Sequence, residues 1–252
     1  MARALPQAAF AALCLIALAA QSPAGPPRPN ESVRAPSSSE APDVGRYETP
    51  EGGRGFVLQR EGNRAALKFE DSDEVLALTS EPAAMGDRLY KLDTGEVVLR
   101  ATSWGGLTLF APDARQGLPV DRSGDAAPLA LLDRLPPEIE GEAANFAAVF
   151  SVTLRAPIPV SVDWAALPDD AIARATLYDS IANARAAVTL VIREDYARAA
   201  LVRSLKSVRF QLGETASSQV ADGVWTITCA PGEGVAGRLS SAALAQSLNG
   251  AL

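Results

Sequence analysis

From Arg46 to Ala111 the chain alternates apolar and polar residues with a period of two, and turn-forming residues interrupt the alternation at short intervals. The apolar runs are GFVLQRE, AALKFE, EVLALT, RLYKLD, EVVLRAT and LTLFA. Between them stand Gly62-Asn63, Asp71-Ser72-Asp73, Pro82 to Gly86, Thr94-Gly95 and Trp104-Gly105-Gly106. An amphipathic helix repeats its apolar face near every 3.6 residues and cannot use this pattern; a half-buried strand can. The turn residues tolerate tight reversals or positive φ, so neighbouring strands fold back on one another. The pattern predicts an N-terminal antiparallel β meander or small open barrel over 46–112.

Beyond it the signals mix. Residues 113–137 read as a connector, with a short helix at Leu129–Leu135. The stretch NFAAVFSVTLRAPIPVSVDW has strand character, and Pro157 and Pro159 confine its second half to a sheet edge or an extended crossing. From Asp169 the period becomes helical: Leu177, Ile181, Ala184, Val188 and Val191 share one face, and Asp169 or Asp170 is the N-cap. A second helix is expected over Asp195–Lys206, then strands in SVRFQLGE and GVWTITCAP, then a final helix from Ser240. The fold class is therefore α+β, the β-rich module being followed by a mixed helix and strand half at 138–252. That half either forms one domain with 46–112 or stands beside it.

The N-terminus runs from Arg3 through an apolar stretch, Ala8 to Ala20, into small residues and prolines, which is the layout of a secretory signal peptide over 1–19. The run is shorter than the ~20 residues of a membrane span, so no stable membrane insertion is expected after cleavage. Leu13 precedes Cys14 and the apolar run continues past it, which argues against lipidation. Residues 20–45, dense in Pro and Ser, read as a disordered tether. Removal of 1–19 takes the formal net charge from −7 to −8, because Arg3 is the only charge lost. The expected location is the periplasm of a Gram-negative bacterium, with secretion as the alternative. Lysine is confined to Lys68, Lys91 and Lys206 among 23 basic residues, a bias typical of GC-rich bacterial genomes.

The 252 residues include no histidine. Ser-His-Asp and Cys-His catalysis and His-ligated metal sites are excluded. After cleavage Cys229 is the single cysteine, which excludes an intrachain disulfide and thiolate clusters; within VWTITCAP it reads as a buried structural thiol. An acidic chain lacks the clustered positive charge that nucleic acid demands. No cofactor, no metal site and no nucleic-acid partner is expected.

Carboxylate chemistry remains. Asp93-Thr94-Gly95 matches the tripeptide of aspartic proteases, and a homodimer could pair two copies of Asp93. Lys91 and Glu96 flank it where such enzymes place apolar and small residues, and a hairpin reversal accounts for the same three residues. Ser204-Leu205-Lys206 has the Ser-x-Lys spacing of some amidases, but a lysine at a helix C-terminus explains it. Asp71 to Glu74 lacks the rest of a calcium loop. The glycines of GEGVAGR fit neither nucleotide fingerprint and read as a turn leading to a Ser240 or Ser241 cap. Trp104 has two readings: a ring folded over the sheet as a lid, or an exposed anchor. In the second, Trp104, Arg100 and Phe110 form a contact surface, and alternation places Val98 with them.

At these residues the block MGDRLYKLDTGEVVLRATSWGGLTLF resembles a family of secreted alphaproteobacterial proteins with a domain of unknown function. The resemblance extends from Arg46 to the C-terminal GRLSSAALAQSLNGAL and implies a structural turn at Asp93 with no assigned activity. The sequence therefore points to an exported, non-enzymatic envelope protein that binds a partner or a small ligand. The alternatives are a homodimeric retropepsin-like protease using Asp93 and a purely structural module.

Overall fold

The structure is a computed structural model, and it describes residues 43–50, 53–111, 114–164, 167, 169–193 and 195–251. The expected signal peptide and all but the last three residues of the expected tether lie outside the described residues.

Eight antiparallel strands close into a barrel in sequence order. They are β1 (Asp43–Glu48), β2 (Gly55–Glu61), β3 (Arg64–Phe69), β4 (Val75–Pro82), β5 (Arg88–Lys91), β6 (Val97–Ala101), β7 (Leu107–Ala111) and β8 (Ala114–Asp125). The six expected strands correspond to β2 through β7. Closure comes from two strands the alternation does not announce. β1 takes up Asp43–Gly45 from the end of the expected tether, and β8 occupies the expected connector, pairing with β7 on one side and β1 on the other. β8 buries only Val120 firmly and leaves most of its residues exposed, so its apolar signal is faint. The barrel interior is packed with Tyr47, Phe56, Leu58, Leu67, Leu99 and Leu109, among other buried side chains. An eight-stranded barrel has just enough room for such a filling.

Residues 126–135 form no regular element, and no helix forms at Leu129–Leu135. Helix α1 (Pro136–Leu154) follows where strand character was expected. Its start is set by Pro136 and Pro137 in the first turn and by Glu138, whose carboxylate accepts the Leu135 amide at 2.7 Å. Ile139, Phe146, Phe150 and Leu154 are buried along one face, while Val149 and Val152 point to solvent. The β-branched residues that suggest a strand thus lie on the outside of a helix whose inside is spaced at three and four.

β9 (Val160–Val162), just after Pro157 and Pro159, is an edge strand of a second sheet ordered β11-β12-β10-β9. β10 (Ser207–Leu212) pairs parallel with both β9 and β12 (Val224–Cys229), and β11 (Ser217–Ala221) pairs antiparallel with β12. Helix α2 (Ala171–Val191) buries the expected stripe, and Asp170 caps it by accepting the Ile172 and Ala173 amides. Helices α3 (Asp195–Ser204) and α4 (Ser241–Asn249) complete the half, with a 3-10 segment, Pro231–Gly237, before α4. Phe146, Phe150, Phe210 and Trp225 centre its core. The molecule is α+β: a closed antiparallel barrel, then helices and a mixed sheet. No helix among the described residues is long and apolar enough to cross a membrane.

Candidate functional site

Two hairpins of the barrel are built alike. In the β5–β6 turn the Leu92 amide donates to the Glu96 carbonyl and the Gly95 amide to the Leu92 carbonyl, both at 2.9 Å. In the β6–β7 turn Thr102 and Gly106 make the first bond at 2.8 Å, and Gly105 and Thr102 the second at 3.0 Å. Gly95 and Gly105 sit at φ +83° and +90°, the left-handed region where a side chain is strained. Connections of an up-and-down barrel alternate between its two ends, so these similar turns lie at opposite ends and serve different purposes.

At one end the turn residue Asp93 reaches the start of α4. The Ser240 amide donates to Asp93 Oδ2 at 2.7 Å and the Ser240 hydroxyl to Oδ1 at 2.6 Å. One residue on, the Ser241 amide and hydroxyl donate to Glu74 Oε1 and Oε2 at 2.7 and 2.6 Å. Ser240 also caps α4 by accepting the Ala243 amide. Two carboxylates from two barrel turns thus satisfy the free amides of a helix N-terminus, where its dipole favours negative charge. Asp71 to Glu74 and Asp93 to Gly95, separate features of the sequence, meet on one pair of serines. Among the described residues no three acidic, histidine or cysteine side chains gather as a metal site. Ser204 bonds the Ala200 carbonyl within α3, while Lys206 is exposed beyond the helix end.

At the other end Trp104 is 89% exposed, which overturns the reading of its ring as a lid on the sheet. Met85, on the neighbouring β4–β5 turn, is 83% exposed. The buried Asp87 ties these turns together: Arg100 Nε donates to it at 2.7 Å, and the Ser103 amide at 3.1 Å. The Arg100 guanidinium, then the Ser103 amide, hold the Asp87 carboxyl below its ordinary range. From Ala83 and Asp87 an open groove of about 880 Å³ runs along the barrel wall toward Glu96 and Arg115, lined also by Leu89, Val97, Arg100 and Phe110. Arg100 and Phe110 therefore share this groove, whereas Trp104 is not part of its lining. Val98 does not join them: a bulge opposite Tyr90 and Lys91 turns it into the barrel beside Leu99, and Val97 takes the outer position.

A family model matches residues 28–248 of the 252. The chain belongs to the family described as Domain of unknown function (DUF4908). No curated protein and no solved structure gives a significant match. The DUF4908 match spans both the barrel and the helix and sheet half, so the Asp93 and Glu74 anchors and the Ser240 and Ser241 they hold fall within one family unit. Within it Cys229 is fully buried and its thiol is pushed by that burial up to about 11, which leaves it protonated and unreactive near neutrality.

Sequence reasoning missed the buried Arg238 and the cleft around it. Arg238 sits 3.1 Å from Asp179, with a side chain only 2% exposed. Burial pulls the Arg238 guanidinium below its ordinary value and pushes the Asp179 carboxyl above its own. An arginine after a glycine-rich loop carries no periodic signal; only the tertiary structure, which sets it between Val75 of β4 and Asp179 of α2, reveals it.

Proposed function

We propose that this protein is a non-catalytic binding module, exported to the periplasm or beyond, whose free barrel end docks a partner polypeptide. The observation that carries this reading is the exposure of Trp104 and Met85 on two adjoining turns held in place by Asp87. A large aromatic left in water on a rigid tip is a ready anchor, since little ordering entropy is lost on binding. Aromatic, Met and Arg residues are the types enriched in interface cores. The groove that leads from Ala83 and Asp87 along the barrel wall offers apolar residues for a side chain of the partner and Arg115, at its far end, for a carboxylate.

The protease alternative finds less support. Both Asp93 oxygens already accept hydrogen bonds from Ser240, which is the work of a helix anchor. Trp104→Ala is expected to change unfolding stability by no more than about 0.5 kcal/mol, as for other surface substitutions. It is expected to abolish one defined interaction in a quantitative envelope pull-down, and Met85→Ala to weaken the same one. An interaction profile unchanged in both variants would defeat the docking role of this end.

A further inference from the structure

We infer that the cleft between the barrel and helix α2 binds a small organic anion, a carboxylate or a phosphate monoester, separately from the Trp104 surface. The cleft holds about 580 Å³ and lies among β3, the β3–β4 turn, the segment near Leu129 and α2. That size suits a small molecule.

Unsatisfied donors line it. Arg238 Nη2 donates to the Val75 carbonyl at 3.3 Å and Nη1 pairs with the Asp179 carboxylate at 3.1 Å, while Nε has no hydrogen-bond partner. Arg134 Nε is likewise buried without a partner, and its guanidinium lies 4.4 Å from the centre of the Tyr178 ring. Buried donors are normally paired, and a guanidinium can be paired only by an acceptor. Lys68 completes the cationic wall; with Arg134 and Arg238 it acts on Asp179, and it has no ion pair among the described residues.

The carboxylates that face this wall are Asp73, Glu74 and Asp179, and Glu138 pairs with Arg134 at 3.5 Å. Glu74 is already taken by Ser241, and both Asp179, at 3.1 Å, and Glu74 act on Arg238. What these pairs leave without an acceptor are the two buried Nε–H groups of Arg134 and Arg238. Leu129, Leu132 and Tyr178 also line it and suit an organic body rather than a bare ion. Two oxygens on one planar or tetrahedral head can meet two guanidinium edges at once.

The test is calorimetric titration of the full chain with benzoate, phenyl phosphate and neutral benzyl alcohol. At least one anion is expected to bind saturably, and the alcohol at least about tenfold more weakly, which is 1.4 kcal/mol. The tighter of the two anions identifies the head group. Lys68→Gln and Arg134→Gln should each weaken the anion about tenfold, whereas Trp104→Ala should leave it unchanged. Amide shifts of Tyr178 and Ala182 on titrating the unmutated protein locate the site even if a variant folds poorly. Absence of binding by both anions, equal binding of the alcohol, or shifts confined to other regions would overturn the inference, leaving water to satisfy the orphaned donors.

Discussion

Asp87 shows how one carboxylate can shape a surface it does not belong to. It is buried behind the Trp104 and Met85 tips and receives Arg100 from one strand and the Ser103 amide from the next turn. Its folded pKa lies below the ordinary aspartate value, with Arg100 as the main cause. A depressed carboxyl contributes stability that is fully present above the unfolded value, about 3.9. That contribution is lost as pH falls through the lower folded value. The Ser103 amide resonance is therefore expected to hold steady through pH 3.9, about the unfolded value, and to move only below it. A shift centred at or above that value would show that the bond to Asp87 is weak. Trp104 and Asp93 were both legible as unusual residues. Their roles were not, because exposure and a partner 147 positions away are set by tertiary structure.

At the scale of elements, strands with a buried face announce themselves and those with little to bury do not. β2 through β7 carry the alternation, whereas β8 is held by ladder bonds on both edges and needs few apolar residues of its own. Helix α1 shows the opposite failure, in which β-branched residues mask a helical face. Phe150→Ala is expected to destabilise the fold by about 3–5 kcal/mol, since the ring is fully buried. Val152→Ala, on the solvent face, is expected to stabilise it slightly, by about 0.5 kcal/mol, through helix propensity. Urea unfolding of the two variants measures both; a stability loss in Val152→Ala comparable to that of Phe150→Ala would return the segment to a strand-like role. The bulge that turns Val98 inward left no mark in the alternation, because a single extra residue reverses every face beyond it.

For the whole molecule, the barrel and the helix and sheet half are joined where α4 begins. Asp93 and Glu74 accept four hydrogen bonds from Ser240 and Ser241, two buried residues that no other barrel group among the described residues supplies with acceptors. That end of the barrel is thereby engaged with α4, and the exposed Trp104 stands at the opposite end. Asp93 as an anchor, and not as an acid or base, is the point on which the binding reading turns. The direct measurement is the urea unfolding free energy of Asp93→Ala against the unmutated protein at neutral pH. Loss of the acceptor strands the Ser240 amide and hydroxyl, so the expected result is a destabilisation of about 1–3 kcal/mol. An unchanged unfolding free energy would contradict the anchor and return the Asp93 carboxylate to the protease alternative.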